Sequence, residues 1–122
     1  MLTITKDSII NCPCGCGYQP QRSILWFLDS LGREYQVQTG KLLHVNSGAR
    51  CYRHNIDVGG VKNSAHVHGL AMDVHFDNSH EAYIILQHLY KLGVPRIGID
   101  FTRKFIHFDV DKSLPQNVLF KY

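Results

Sequence analysis

The stretch that decides this fold is Ser64-Ala-His66-Val-His68-Gly69-Leu-Ala71-Met-Asp73. His66 and Asp73 lie seven residues apart, and the glycine between them lets the chain turn so that both side chains point at one place. A second stretch, Phe105-Ile-His107-Phe-Asp109-Val, supplies another histidine. Two histidines and one carboxylate with an open fourth position are the usual way to hold a catalytic zinc ion. The sequence therefore predicts a zinc site formed by His66, Asp73 and His107.

Length and composition indicate one globular domain. The chain has 122 residues, of which 44% are hydrophobic and 19% are charged, with a net charge of +3. It contains no Lys/Arg block typical of nucleic-acid binding and no apolar run of about 18 residues that could cross a membrane. The first ten residues also lack the apolar run of a signal peptide. We expect a monomeric domain over residues 1–122, made in the bacterial cytoplasm, with no nucleic-acid or membrane partner.

Two amphipathic helices are predicted. Between Pro20 and Tyr35 an i, i+3, i+4, i+7 stripe indicates a helix, and we place Trp26 on its buried side. Asn78 followed by Glu81 resembles a capping box, which predicts a second helix that runs to about Leu92.

Four strands are predicted, at residues 42–46, 70–76, 96–99 and 104–110, and a short link makes the last two a hairpin. In the second strand, the period of two places Ala71, Asp73 and His75 on one face. Residues 51–64 are predicted to form a loop, and residues 111–122 show no clear pattern. This order of elements predicts an α+β domain with an antiparallel sheet covered by helices.

Four cysteines form a separate feature. Cys12, Cys14 and Cys16 alternate in a glycine-punctuated turn, and Cys51 follows much later. Reduced thiols in a turn, a disulfide that reaches Cys51 and a metal site are all compatible with these positions. We expect a cysteine-rich arm over residues 1–19 that packs on the domain and has a structural role.

At these residues the sequence resembles a known family. Ser-x-His-x-x-Gly-x-Ala-x-Asp is the signature of bacterial and phage D-alanyl-D-alanine carboxypeptidases and L-alanyl-D-glutamate endopeptidases, zinc enzymes that share the hedgehog/DD-peptidase fold. Residues 64–73 fill every fixed position, residues 47–50 are similar to the family's Ser-x-x-Arg segment, and residues 105–110 look like its closing His-x-Asp strand. The resemblance covers roughly residues 12–110 and is to short phage-type members.

The resemblance implies His66, Asp73 and His107 as ligands of one catalytic zinc ion. It also implies that Arg50 binds a substrate carboxylate or the developing oxyanion, which suits the geometry of guanidinium. Ser64 is expected to hydrogen-bond its loop, orient His66 or contact substrate.

The general base is the point of departure from the family. Many relatives have an acid three residues before the last zinc histidine, and this chain has Lys104 there. Asp109 shares a strand face with His107, so it is either the replacement base or a partner that orients His107. His75, on the same face as Asp73, is a candidate for substrate contact in the cleft.

We therefore expect a zinc metallopeptidase that cuts the stem peptides of peptidoglycan, at either the D-Ala-D-Ala or the L-Ala-D-Glu bond. Such a cell-wall-degrading hydrolase suits a phage or prophage, acting at the wall or in the periplasm after release. One alternative is a non-catalytic zinc-binding module of the same fold that binds the cell wall or a phage-particle partner. Another is a zinc-free structural protein of a phage particle.

Overall fold

A five-stranded sheet forms the centre of the molecule. The computed structural model describes residues 3–122, so the first two residues of the predicted arm lie outside the described residues. The strands run in the order β1-β2-β4-β3-β5, with bounds β1 Val45–Ser47, β2 Ala71–His75, β3 Arg96–Asp100, β4 Phe105–Asp109 and β5 Val118–Lys121. The first four pair antiparallel, and β5 pairs parallel to β3. The α+β class is confirmed, but the fifth strand makes the sheet mixed, not wholly antiparallel.

Three helices accompany the sheet: α1 Arg22–Thr39, α2 Tyr52–Asp57 and α3 Ser79–Lys91. The start of α3 is as predicted, because the Asn78 side chain accepts a hydrogen bond of 2.9 Å from the backbone N–H of Glu81. Helix α1 runs four residues past its predicted end, to Thr39, and Gly40, with a φ of 73°, closes it in the left-handed region. No helix within residues 3–122 is long and apolar enough to span a lipid bilayer.

The hydrophobic core lies between one face of the sheet and helices α1 and α3. Its fully buried members alternate along the strands and follow the predicted stripes of the helices: Ile24, Leu28, Leu31, Met72, Val74, Ile85, Leu89, Ile106 and Phe108. The expected burial of Trp26 is wrong, since 60% of it is exposed. Two residues along a helix correspond to a rotation of roughly 200°, so Trp26 points away from the side that Ile24 and Leu28 bury.

The other face of the sheet is polar at its centre. Asp73 of β2 lies directly opposite His107 of β4, and His107 lies opposite Gly98 of β3. Because side chains alternate along a strand, each of these residues points away from the helices while its neighbours enter the core. This register brings an acid of one strand beside a histidine of the next.

The first strand, predicted at residues 42–46, is Val45–Ser47, and two further elements were not predicted from the sequence. Helix α2 falls in the predicted loop; it has six residues, of which only Asn55 is buried, so it shows no apolar stripe. Strand β5 falls in the unassigned tail; it has four residues and pairs in parallel with a strand about twenty positions earlier. A run of Val, Leu and Phe after Pro115-Gln-Asn117 was the local signal for this strand.

Candidate metal centre

His66, Asp73 and His107 converge on one point at the polar face of the sheet. Asp73 Oδ1 lies 3.1 Å from His66 Nε2 and 2.9 Å from His107 Nδ1. All three donor atoms lie within 4.8 Å of one another. Nitrogen and oxygen ligands of a tetrahedral zinc ion are about 3.3 Å apart, given metal–ligand distances near 2.0–2.2 Å. The three side chains therefore have the chemistry and spacing to hold one zinc ion.

The imidazole of His66 is oriented by the backbone. Its Nδ1 donates a hydrogen bond of 2.7 Å to the carbonyl oxygen of Gly48. Because a carbonyl only accepts, Nδ1 carries a proton, and Nε2 is the ring nitrogen that faces Asp73. Gly48 itself packs tightly against the N-terminal arm, where a Cβ atom would lie 2.4 Å from the carbonyl oxygen of Ile10. The arm thus fixes the carbonyl that orients His66.

The imidazole of His107 is oriented by Asp109. Its Nε2 donates to Asp109 Oδ2 at 2.6 Å, which leaves Nδ1 directed at Asp73. Asp109 is fully buried and also accepts hydrogen bonds of 3.1 Å from Arg96 Nε and from the backbone N–H of Asp111. A carboxylate on the outer nitrogen of a metal-binding histidine fixes its ring and tautomer. This contact with His107 is the one expected if Asp109 orients the ring, which is one of the two roles predicted for it.

The site is electrostatically suited to a cation. Burial alone would raise the pKa of Asp73, but the neighbouring His66 and His107 hold that pKa well below its usual range. Burial lowers the pKa of His107, but the carboxylates of Asp109 and Asp73 outweigh it and raise that pKa. Two buried carboxylates around one imidazole therefore favour positive charge at the point where the three donors meet.

A cavity of about 860 Å³ opens over Asp73, His107 and Asp109, while His66 is fully buried behind its lining. Its walls come from Asn46 and Ser47, the loop at residues 58–65 and the tail at residues 120–122. The volume lies within the range of small-ligand sites. Arg50 also lines the cavity, and its buried Nε has no hydrogen-bond partner among the described residues. An unpaired buried guanidinium nitrogen is a ready donor for an anionic ligand.

Among the charged residues that line the cavity, basic side chains outnumber acidic ones. Among the described residues that form it, the only acids are Asp73 and Asp109, and both already bind histidine. Five basic side chains line the same space: Arg50, Lys62, Arg96, Arg103 and Lys121. Their charge attracts a ligand that carries free carboxylates.

Two aromatic residues of the tail, absent from the sequence prediction, pack against the site. The ring of Tyr122 stacks on His107 with centroids 4.9 Å apart, and the ring of Phe120 lies 5.8 Å from it. Gly98 provides their space, since a Cβ atom there would lie 2.4 Å from the Phe120 ring. Burial raises the pKa of the Tyr122 phenol, Asp73 adds to the effect, and Arg50 opposes it. Tyr122 therefore stays protonated beside the ligands at neutral pH.

The remaining predicted residues lie at different distances from the ligands. Ser64 is buried in the cavity wall, and its Oγ accepts a hydrogen bond of 3.2 Å from the backbone N–H of His66. His75 lies outside the cavity lining, at the end of β2, where its Nε2 is 2.7 Å from Asp77 Oδ1. Lys104 is exposed in the turn before β4, with a φ of 59°, and also lies outside the cavity lining.

Comparison with known proteins agrees with this geometry. The model of one family, described as peptidase M15, matches residues 8–109, which include every ligand of the candidate centre. No curated protein matches the sequence at a significant level.

Proposed function

Because the chain belongs to the peptidase M15 family, we propose that it is a zinc-dependent peptidase that hydrolyses the stem peptides of peptidoglycan. The observation that carries this proposal is the convergence of His66, Asp73 and His107, each histidine fixed by a second hydrogen bond. A zinc ion in such a site supplies a Lewis acid for the scissile carbonyl and activates a water molecule. On this proposal the protein acts at the cell wall, where its substrate lies.

The substrate class is supported by the charges around the cavity. Stem peptides present free carboxylates, and the charged side chains that line this cavity are mainly basic. We assign the anchoring contact to Arg50, because its buried Nε has no partner and its fork of donors matches a carboxylate. The carboxylate nearest the scissile bond would thus be held beside His66, whose backbone carbonyl accepts from Arg50 N–H at 3.0 Å.

The roles of the supporting residues follow from their contacts. Asp109 orients His107, since all its interactions lie on the side of the ring away from Asp73. Ser64 holds the turn that carries His66. The Tyr122 phenol, stacked on His107, supplies a neutral donor for the substrate or the developing oxyanion.

A cleavage assay on purified peptidoglycan tests this function. We expect the zinc-loaded chain to release peptide fragments, a chelator to stop the release, and added zinc to restore it. His66→Ala should abolish cleavage, whereas His80→Ala, an exposed histidine in the first turn of α3, should leave it unchanged. Mass spectrometry of the fragments identifies the bond and so distinguishes D-Ala-D-Ala from L-Ala-D-Glu cleavage. Fragment release that persists in chelator would refute the proposed zinc chemistry.

A non-catalytic zinc-binding module is the second candidate. It is favoured by one observation: among the described residues that line the cavity, no carboxylate is left over to act as general base. This candidate predicts zinc-dependent co-sedimentation with cell walls and no fragment release. Arg50→Ala should weaken that co-sedimentation, and Arg33→Ala, in an exposed pair on α1, serves as the matched control.

A further inference from the structure

A second group of side chains that could hold a metal ion shares no residue with the histidine site. The Sγ atoms of Cys12, Cys14, Cys16 and Cys51 all lie within 4.8 Å of one another. We propose that these four cysteines hold a structural zinc ion, which ties the N-terminal arm to the segment that precedes α2. The inference is independent of the proposed peptidase activity, because it rests on the cysteines alone.

The backbone brings the first three thiols together in a way that Cys-x-Cys spacing alone does not indicate. Gly15 and Gly17 have φ angles of 86° and 83°, in the left-handed region that favours glycine. The N–H of Cys12 donates to the carbonyl of Tyr18 at 2.9 Å and closes the turn. In an extended strand, alternate side chains would share one face but stay in a row. The left-handed conformations of the two glycines bend the chain, so that the three thiols converge.

The distances between sulfur atoms match a metal site. Cys12 Sγ lies 3.4 Å from Cys14 Sγ, and Cys14 Sγ lies 3.6 Å from Cys51 Sγ. Four thiolates at about 2.3 Å from a tetrahedral zinc ion lie about 3.8 Å from one another. The separations are thus close to the edge of that tetrahedron.

Two backbone donors point at these sulfur atoms. The N–H of Cys51 lies 3.4 Å from Cys12 Sγ, and the N–H of His54 lies 3.4 Å from Cys51 Sγ. Hydrogen bonds to sulfur favour the thiolate, which is the form that binds metal. Four soft sulfur ligands in a closed tetrahedral set are typical of a structural zinc ion, with no vacant position for a substrate.

The position of the cluster explains what the ion would stabilise. Cys51 follows the segment whose Gly48 carbonyl orients His66, and the N–H of Ala49 donates to the carbonyl of Ile10 at 2.9 Å. Just after the cysteine turn, Tyr18 donates its hydroxyl to the Val67 carbonyl at 2.6 Å, within the loop that carries His66. An ion bound by the four thiolates would therefore clamp the arm on which the orientation of His66 depends.

Cobalt(II) provides the test on the full-length chain, with the reduced, metal-free protein titrated under anaerobic conditions. Cobalt bound to thiolates gives an intense sulfur-to-metal charge-transfer absorption, whereas cobalt bound to histidine and carboxylate does not. We expect this absorption in the wild-type chain and, undiminished, in His66→Ala. We expect its loss in the double variant Cys14→Ser, Cys16→Ser. Zinc-loaded protein should contain two ions per chain, and each of these variants should contain one.

The outcomes separate this inference from the peptidase proposal. Loss of cleavage in His66→Ala with the charge-transfer band intact would affect only the histidine site. A wild-type chain that shows no such band, or whose mass reveals a disulfide in protein prepared under reducing conditions, would overturn the four-thiolate site. If the double variant does not fold, thiol alkylation of the wild-type chain tests whether the four cysteines bind zinc. Zinc should protect all four thiols from maleimide and a chelator should expose them, whereas equal reactivity in both conditions would contradict the site.

Discussion

The two faces of strands β2 and β4 differ in chemistry, although adjacent residues form them. On one face Met72, Val74, Ile106 and Phe108 are fully buried against the helices and contain no charge. On the other, Asp73 and His107 form the candidate metal centre with partners at 3.1 Å or less. Because neighbouring residues of a strand point in opposite directions, each of the two strands contributes side chains to both faces.

In these strands, therefore, one residue can contribute to the stability of the core while its neighbour contributes to the candidate metal centre. The apolar face stabilises the domain through burial and close packing, which depend on volume and not on charge. The polar face holds buried charges that are tolerated because each is hydrogen-bonded to a counter-charge. Substitutions on the two faces should therefore produce different phenotypes.

Adjacent substitutions in β2 give the largest expected effects. Met72→Ala should lower the free energy of unfolding by about 2–5 kcal/mol, because it leaves a cavity in the core. Asp73→Asn keeps the shape but removes the anionic ligand, so cleavage should fall by at least about a hundredfold, beyond the loss typical of an orienting residue. Urea unfolding of the metal-free proteins and a cleavage assay on folded protein measure both. Comparable losses of stability in the two variants would contradict the division between the faces.

Asp109→Asn should give a smaller effect on function than Asp73→Asn. The amide no longer provides a full carboxylate for His107 Nε2, so zinc affinity or activity should fall by about 10–100-fold. Zinc titration against a competing chelator measures the affinity. Asp29→Asn, which removes an exposed carboxylate paired with Arg33 on α1, is the matched control. An unchanged affinity, with cleavage alone lost, would instead assign Asp109 the role of general base.

Glu81→Gln tests a buried carboxylate on the helix-covered side, where the expected effect is on stability and is the smallest. Glu81 accepts a hydrogen bond of 2.7 Å from the hydroxyl of Tyr35 and pairs with Lys41. Burial alone would raise the pKa of Glu81, but the hydrogen bonds from Lys41, the Asp77 backbone and Tyr35 together lower it. A carboxylate with a lowered pKa in the folded state stabilises the protein above its unfolded pKa of about 4.5.

The stabilisation by Glu81 is therefore present at neutral pH and is lost as the pH falls through the folded pKa. We expect Glu81→Gln to cost about 1–2 kcal/mol at pH 7 and progressively less below about pH 4.5. Urea unfolding across this pH range, with both proteins in chelator, measures the difference. Glu34→Gln, which changes a partly exposed acid of α1, should show no such trend. A difference that stays constant with pH would show that the charge of Glu81 is not the cause.

Local signals in the sequence predicted much of this architecture. The Asn78 cap and the Gly93 and Pro95 that follow α3 defined that helix almost to the residue, because these signals act within a few positions of the chain. The alternation around Asp73 and His107 located β2 and β4 for the same reason. The spacing of His66 and Asp73 around Gly69 indicated two of the ligands, whereas His107 was placed with them only by the order of motifs in the family that the chain resembles.

The features that the sequence did not indicate depend on tertiary pairing. Strand β5 joins β3 in parallel, and only that pairing brings Tyr122 over His107. The ion pair between Arg96 and Asp109 spans two strands, so neither residue signals it alone. Likewise, Cys-x-Cys spacing does not indicate convergence of thiols, because the left-handed glycines that cause it are visible only in the backbone.

The alignment of Asp73 opposite His107 has a consequence for how the chain reaches its native state. A slip of one position between β2 and β4 would send the two side chains to opposite faces of the sheet. The donor set thus exists only when the strands have paired correctly, and an ion bound by it would stabilise that arrangement alone. Metal availability during synthesis should accordingly raise the yield of correctly aligned protein over competing misaligned forms.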